Sequence, residues 1–340
     1  MAPEAPRKLF GRDTLVDDVV GLAENLGSIA LIGPAGIGKS SVALKVLHHS
    51  RIKQRFGKNR RFVRCNEYPV PCADFLAQLS EVIGAGVEDP QSLEPLRPFL
   101  SSKRMLIVLD NAESILDPKG AWETEIFSVV QELCQLKTIS LCITSRIMKV
   151  PPGCECLKIL PLSMSAAYEM FCSIYDDEEK SCIIKGLVED LDYHALSIKL
   201  LATRAVCDLW SCDRLKEEWG NQGVQVLGIE YGKSLERSIQ LSLKSPTFCS
   251  LGPYAHEILG VFYFFPDGIF EKELNLLFPG IPDIKVIFDS FCILSLAYRE
   301  NGFIKMLAPF RYYFSPKDPT SSSIYQVIKQ YQVIKQYPPS

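Results

Sequence analysis

The chain has 340 residues and a formal net charge of −3, with basic and acidic residues mixed along its length. This balance argues against a broad attraction to nucleic acid or to an anionic membrane, so neither is expected as a partner. No apolar run reaches the length of a membrane span, and residues 1–8 lack the apolar region of a signal peptide. The 12 cysteines show no metal-ligand spacing and are interpreted as reduced thiols of a cytoplasmic protein.

The first 160 residues alternate strand-like and helix-like segments. Short apolar runs predict five strands, at Ser28–Ile32, Arg61–Cys65, Met105–Leu109, Ile139–Ile143 and Cys156–Ile159. Intervening helices are predicted, among them Lys39–His49 and Trp122–Leu136, and the basic stretch Arg51–Arg64 is interpreted as a solvated loop. Strands and helices in alternation predict an α/β fold, in which a parallel sheet carries helices on both faces.

The pattern becomes helical after Pro161. Helices are predicted at Ala166–Tyr175, Glu178–Leu191, Ala195–Leu209, Leu215–Trp219, Leu235–Leu243, Ala255–Phe262 and Glu271–Leu277. Two β-like runs, Ile293–Tyr298 and Phe303–Leu307, flank a turn signal at Arg299–Gly302. The predicted organisation is an α/β domain at residues 1–160, a helical subdomain at 161–222, a winged-helix-like subdomain at 223–315 and a weakly ordered tail at 316–340.

One segment carries a specific chemical signal. Residues 33–40 read Gly33-Pro34-Ala35-Gly36-Ile37-Gly38-Lys39-Ser40 and fit the phosphate-binding pattern G-x-x-x-x-G-K-[ST], with a strand before and a helix after. Backbone N–H groups and the helix N-terminus would hold the phosphates. Lys39 would reach the β- and γ-phosphates, and the Ser40 hydroxyl would ligate Mg²⁺. The alternative is a glycine-rich turn that happens to carry Lys-Ser, but the context favours a site for ATP or ADP with Mg²⁺.

Three charged residues after later strands extend this site. Asp110 directly follows the apolar run of the third strand and is the expected second Mg²⁺ ligand, the alternative being a helix N-cap or a loop acid. Glu113 is the nearest candidate to activate water, since Asn111 cannot act as a general base, but it could equally be a first-turn acid of a helix. Arg146 follows the fourth strand and would sense the γ-phosphate, the alternative being a solvated strand-end arginine.

The order of these motifs resembles the STAND class of signalling ATPases, close to the NB-ARC and NACHT groups and especially to fungal members with helical repeats. The matching segments are Phe10-Gly11-Arg12-Asp13, Gly33 to Ser41, Leu106 to Glu113, Ile143-Thr144-Ser145-Arg146, Leu160-Pro161-Leu162-Ser163, His194 to Ile198, Pro266-Asp267-Gly268 and Met306 to Arg311. The resemblance implies that Arg12 lies by the nucleotide and that Ser41 belongs to the phosphate-binding segment. It departs from the family where Ala195 replaces a proline and where no Met-His-Asp motif follows Met306.

This resemblance implies a switch in which ADP holds a closed form and ATP favours an open, self-associating form that signals to an effector protein. Slow ATP hydrolysis by Glu113 and Arg146 is expected at most. Two alternatives remain at this point. One is a nucleotide-binding scaffold that does not hydrolyse ATP, and the other is a DNA-associated ATPase of the AAA+ type. The few basic residues of the wing region, Lys285, Arg299, Lys305 and Arg311, argue against the second alternative.

Overall fold

The computed structural model describes residues 3–65, 71–117, 123–175, 181–222, 236, 239–240 and 242–315. The predicted tail at 316–340 lies outside these residues, and so do positions 235, 237, 238 and 241 of the predicted helix Leu235–Leu243. The chain divides into two units. The first is Met1–Leu160 with Ser245–Thr247, and the second is Pro161–Lys244 with Phe248–Ser340.

The first unit is built on a five-stranded parallel sheet, which confirms the predicted α/β fold. Its strands are β1 (Ser28–Ile32), β2 (Arg60–Arg64), β3 (Met105–Asp110), β4 (Ile139–Ser145) and β5 (Cys154–Lys158), in the order β2-β3-β4-β1-β5. Its helices are α1 (Asp13–Glu24), α2 (Lys39–Leu47), α3 (Ser50–Phe56), α4 (Cys72–Ile83), α5 (Arg97–Ser101), α6 (Glu113–Leu116) and α7 (Glu123–Gln135), with a 3₁₀ turn at Glu94–Leu96.

The three inner strands are buried at every position, whereas the edge strands β2 and β5 have partly exposed and exposed positions. A parallel sheet with helices on both faces needs this pattern, because its central strands meet no water on either side. The same burial explains why the apolar runs of β1, β3 and β4 were recognisable in the sequence.

The interpretation of Arg51–Arg64 as a solvated loop was wrong for both ends of the stretch, since it begins in a helix and Arg60–Arg64 is strand β2. Residues Ser50–Phe56 form helix α3, which buries Ile52 and Phe56. These two residues are four positions apart and therefore share one face of a helix. The His49 side chain accepts a hydrogen bond from the Arg51 backbone N–H and caps the helix. The basic side chains occupy the remaining face, so a high charge density concealed a short amphipathic helix.

The second unit is mainly helical. Its helices are α8 (Met164–Cys172), α9 (Ser181–Asp190), α10 (Ala195–Cys207), α11 (Cys212–Gln222), α13 (Tyr254–Val261), α14 (Leu274–Leu277), α15 (Ile284–Ile293) and α16 (Ala308–Tyr313), while α12 (Pro246–Cys249) begins in the short piece of the first unit. A small antiparallel sheet has the order β6-β8-β7, with β6 (Ile269–Phe270), β7 (Tyr298–Glu300) and β8 (Phe303–Lys305).

The predicted strand Ile293–Tyr298 was wrong, because Ile293 ends helix α15 and β7 begins only at Tyr298. A short apolar run cannot be assigned to helix or strand from periodicity alone. The turn is also tighter than predicted, with Asn301 and Gly302 at φ +51° and +83°. The subdomain boundaries within residues 161–315 and the winged-helix character stay predictions. Within the described part of the chain, no helix is long and apolar enough to cross a membrane.

Candidate nucleotide site

The order of the sheet brings the predicted site residues of the first unit to one edge. Strand β4 pairs in parallel with β1 on one side and with β3 on the other. The residues that follow these three strands therefore meet at the carboxyl edge of the sheet, where ligands of open α/β sheets bind. The loop after β1, the turn after β3 and the residues after β4 lie there.

The loop Gly33–Gly38 joins β1 to α2, and two of its glycines have distinct structural reasons. A Cβ atom at Gly33 would lie 2.9 Å from the carbonyl oxygen of Ile159, so no larger residue fits beside the end of β5. Gly38 precedes α2 with φ at +108°, which side chains rarely adopt. The buried side chains of Ala35 and Ile37 anchor the loop, while Pro34 and Gly36 are partly exposed.

Lys39 is the first residue of α2, and its side chain folds back over the loop. Its Nζ donates hydrogen bonds to the carbonyl oxygens of Gly33, at 2.8 Å, and Pro34, at 2.9 Å. Burial lowers the pKa of Lys39 to about 8, although the nearby carboxylates of Glu113 and Asp110 favour its charged form. The Lys39 ammonium is thus bound by two neutral carbonyl oxygens of the loop. A charged phosphate oxygen would bind it more strongly than they do.

Asp110, the last residue of β3, receives two hydroxyl groups on one oxygen. Ser40 Oγ donates to Asp110 Oδ1 at 2.6 Å and Thr144 Oγ1 donates to the same oxygen at 2.7 Å. Mg²⁺ prefers oxygen ligands and is usually bound through one or two protein groups, with water and phosphate completing its shell. Ser40 and Asp110 fit that need.

Thr144 was not among the predicted site residues. Its hydroxyl also accepts a hydrogen bond from the Asn111 N–H at 3.0 Å, and its carbonyl accepts one from Ala112 N at 2.9 Å. Asn111 itself lies at φ +60°, in the left-handed region that asparagine tolerates better than most residues. Thr144 therefore holds the turn after β3 in place. In the sequence, the only indication of this role was that Thr144 lies near the end of a predicted strand.

Glu113 and Arg146 form a buried ion pair. Arg146 Nε donates to Glu113 Oε1 at 2.5 Å, and the Arg146 backbone N–H donates to Glu113 Oε2 at 3.2 Å. Burial alone would raise the pKa of Glu113, but the charges of Arg146 and Lys39 outweigh it, so that this pKa lies below its ordinary value. The alternative of a solvated Arg146 was wrong, since the residue is 7% exposed.

The remaining predicted residues border this cluster. Arg12, half-buried ahead of α1, donates through Nη2 to the carbonyl oxygen of Leu160 at 2.6 Å and so ties the segment before α1 to the residues after β5. Ser41 lies in the first turn of α2 and is partly buried. Contact of Arg12 and Ser41 with a nucleotide stays a prediction.

Comparison with known proteins identifies the family. The model of the NB-ARC domain matches residues 12–181, half of the chain. A Walker-type ATPase of Pyrococcus abyssi is similar in structure, with 14% identity, a TM-score of 0.63 and coverage of 92% of this chain and 98% of that one.

Two weaker structural matches each have 14% identity and a TM-score of 0.44. One is a STAND protein with a tetratricopeptide repeat sensor from Pyrococcus horikoshii, covering 99% of this chain and 47% of that one. The other is the Aeropyrum pernix ORC1 protein in complex with DNA, covering 97% and 95%. No curated protein sequence matches. The family match and the phosphate-binding loop lead to one conclusion: the chain belongs to the NB-ARC family and is a P-loop NTPase of the NB-ARC/STAND type.

Proposed function

We propose that this chain is a conformational switch that binds ATP or ADP with Mg²⁺ at the carboxyl edge of its parallel sheet. One observation carries the proposal. The Ser40 hydroxyl and the Asp110 carboxylate, 70 residues apart in sequence, lie 2.6 Å apart beside the phosphate-binding loop. A hydroxyl and a carboxylate at this spacing can both ligate one cation that bridges to bound phosphates.

The phosphates would lie against the loop and the start of α2. Lys39 would exchange its bonds with the carbonyls of Gly33 and Pro34 for bonds with phosphate oxygens, gaining a charged acceptor in place of two neutral ones. The backbone N–H groups at the N-terminus of α2 add favourable partial charge. These contacts serve the phosphates common to ATP and ADP, so they support binding without selecting between the two nucleotides.

A switch requires that ATP and ADP bind its two conformations with different affinities. We assign the selective contact to Arg146, because it follows β4 at the same edge as Ser40 and Asp110. Its guanidinium would bond the γ-phosphate, which ADP lacks. ATP would then favour an open form that associates with further copies and with an effector protein, as the family resemblance implies.

A scaffold that binds nucleotide without hydrolysing it is the second candidate. It is favoured by the ion pair, since Arg146 engages both carboxylate oxygens of Glu113, the residue proposed to activate water. Single-turnover assays with ATP and Mg²⁺ separate the two functions: release of phosphate supports a hydrolysing switch, and bound ATP that persists unchanged supports the scaffold.

DNA binding is the less supported alternative. Three of the four basic residues named for the wing region contact carboxylates: Arg299 contacts Glu271 and Asp289, Lys305 contacts Glu300, and Arg311 contacts Asp192. Basic side chains held this way offer less charge to a phosphate backbone. DNA affinity that falls steeply with salt concentration would revive this alternative.

The central test is a titration of wild type and Arg146→Ala with ATP and with ADP in the presence of Mg²⁺. A hydrogen bond to a charged group contributes about 1.5–3 kcal/mol, so the ATP/ADP preference should fall roughly ten- to a hundredfold in the variant. Light scattering on the same samples reports self-association with ATP. Equal losses for both nucleotides would show that Arg146 supports shared phosphates or the fold, and would contradict its role as the selective contact.

A further inference from the structure

We propose that the ion pair between Glu113 and Arg146 is a lock that ATP must open, with Glu113 acting as a positioning residue that opposes recognition of the γ-phosphate. This inference rests on the proposed function, because it assumes that Arg146 reads that phosphate. It adds a specific restraint on when Arg146 can do so.

The geometry of the pair supports a lock. Glu113 begins α6, after β3, whereas Arg146 follows β4, so the pair joins the ends of two neighbouring strands. One oxygen of Glu113 accepts from the Arg146 side chain at 2.5 Å and the other accepts from the Arg146 backbone at 3.2 Å. The carboxylate therefore fixes both the main chain and the guanidinium of the same residue.

Burial makes this restraint strong. The side chains of Arg146 and Glu113 are 8% and 4% exposed, so water does little to screen their attraction. A buried charge is costly without its partner, which means that Arg146 leaves Glu113 only for another anion. A phosphate oxygen is such an anion, and it would compete with Glu113 for the guanidinium.

The lock has a consequence for both residues. While Arg146 bonds Glu113, the guanidinium is directed to a protein carboxylate, and that carboxylate accepts from both the side chain and the backbone of Arg146. Once a γ-phosphate takes over Arg146, Glu113 loses the side-chain donor at Oε1. Recognition of ATP and release of the candidate water-activating group are then the same event.

The test is a double-mutant cycle measured as the ratio of ATP to ADP affinity with Mg²⁺. Glu113→Gln keeps the size of the side chain and removes the competing charge. We expect it to raise the preference for ATP about tenfold, since the bond that Arg146 has to leave no longer joins two opposite charges. In an Arg146→Ala background the same substitution should leave the ratio unchanged. Glu132→Gln is the matched control, because it removes the carboxylate of the partly exposed Arg97–Glu132 pair in the same unit.

If the ion pair is purely structural, its loss in Glu113→Gln should lower the stability of the protein. It should also lower the affinities for ATP and ADP equally, so that their ratio does not change. An unchanged or lowered ratio in Glu113→Gln would therefore overturn the lock. If that variant does not fold, Glu113→Asp retains the charge but withdraws it by one methylene, and an intermediate rise in the ratio is expected. Wild-type protein that binds neither nucleotide would overturn the proposed function itself, a result distinguishable from failure of the lock.

A separate observation concerns two thiols near the amino end of strand β5, away from the carboxyl edge where the nucleotide site lies. Cys134, near the end of α7, and Cys154, the first residue of β5, place their Sγ atoms 3.4 Å apart. Both residues are partly exposed, so a small oxidant can reach them. We infer that Cys134 and Cys154 form a disulfide when the protein meets a peroxide.

The chemistry balances with the peroxide as the two-electron oxidant. The Cys134 thiolate attacks one oxygen and the O–O bond breaks, giving a sulfenic acid and a hydroxide that becomes water by taking up the proton lost when Cys134 ionised. Cys154 then attacks that sulfur, the S–O bond breaks, the S–S bond forms and a second water leaves. The hydrogen bond with Cys154 lowers the pKa of Cys134, which suits it to make the first attack.

Peptide mapping after treatment of the folded chain with hydrogen peroxide tests this assignment. We expect a Cys134–Cys154 cross-link that dithiothreitol reverses and that Cys154→Ser abolishes. Cys156→Ser is the control, since Cys156 is an exposed cysteine two residues along the same strand, and the cross-link should persist in it. Oxidation of Cys134 to sulfinic acid without a cross-link, or pairing with Cys156 instead, would overturn the inference.

Discussion

Each unit holds a carboxylate in a dense set of hydrogen bonds, but the donors differ. Asp110 in the first unit receives the hydroxyls of Ser40 and Thr144. Asp192 in the second unit receives the backbone N–H of Ala308, at 2.5 Å, and the guanidinium of Arg311, at 3.2 Å.

This difference distinguishes a ligand from a structural tie. Hydroxyl groups orient a carboxylate without bringing an opposite charge to it, so Asp110 can still offer an oxygen to a cation. The charge of Asp192 is already neutralised by Arg311, and its hydrogen bond to Ala308 fixes the start of α16. The partners of a carboxylate therefore say more about its role than its burial does.

Removing the positive charge of Lys39 should have the largest effect on nucleotide affinity. Lys39→Ala should lower affinity for ATP and ADP by at least about a hundredfold, since two hydrogen bonds to charged oxygens are lost. Isothermal titration measures this, with circular dichroism to verify folding. Lys45→Ala, in the last turn of the same helix, is the control. Unchanged affinity in the Lys39 variant would refute the site.

Neutralising the two compared carboxylates should separate their roles. Asp110→Asn should weaken binding roughly tenfold more in the presence of Mg²⁺ than in EDTA, because the metal loses a charged ligand. Asp192→Asn should leave both affinities alone and lower the free energy of unfolding by about 1–3 kcal/mol through loss of charge-assisted bonds. Equal losses for Asp110→Asn with and without metal would make Asp110 a structural tie like Asp192.

Nucleotide affinity should also depend on pH, through the ionisation of Lys39. Its pKa is lowered by burial to about 8 from 10.5, so above pH 8 the free protein loses the proton that the phosphates require. Affinity should then fall about tenfold per pH unit above 8, with uptake of one proton on binding. In the free chain, burying the charged Lys39 disfavours folding at low pH. The free energy of unfolding should therefore rise between pH 8 and about 10.5, where the unfolded state holds the proton and the folded state has lost it. Calorimetry in buffers of different ionisation enthalpy measures the uptake, and a flat profile would contradict it.

The smallest effect is expected at Thr144. Thr144→Val keeps the shape but removes a donor to Asp110 and the acceptor of the Asn111 N–H. We expect a loss of about 1–3 kcal/mol in stability and a several-fold loss in Mg²⁺-dependent affinity. Thr138→Val removes a comparable hydroxyl at the other end of β4 and serves as the control. A full tenfold selective loss of Mg²⁺-dependent binding would instead make Thr144 a metal ligand.

The sequence was sufficient for features with a local origin. Strand β1 was predicted at its observed bounds, since an apolar run before a glycine-rich loop leaves few alternatives. The phosphate-binding segment was recognisable for the same reason: its glycines, Lys39 and Ser40 act within eight consecutive residues. Strand β3 was predicted one residue short, at Met105–Leu109, because its apolar run ends before the buried Asp110.

Features that depend on distant partners could not be predicted. The Glu113–Arg146 pair, the role of Thr144 and the approach of Cys134 to Cys154 all depend on which strands and helices are neighbours, and composition does not reveal that. The hairpin of the second unit is present, but the bounds of its first strand were predicted wrongly for a different reason. Leu294, Leu296 and Ala297 are buried without being in a strand, so their apolar character misled the assignment.

The insertion of β4 between β1 and β3 also sets when the site can exist during synthesis. The phosphate-binding loop leaves the ribosome early, but Gly33 N donates to the carbonyl of Ser145, and Asp110 receives its second hydroxyl from Thr144. Neither contact can form until the chain has been extended to residue 145, and a parallel strand added at the centre of a sheet is slow to pair. On the proposed function, the phosphate-binding segment is therefore synthesised about a hundred residues before its site is complete. Nucleotide binding by the growing chain would then mark the point at which β4 has paired with β1 and β3.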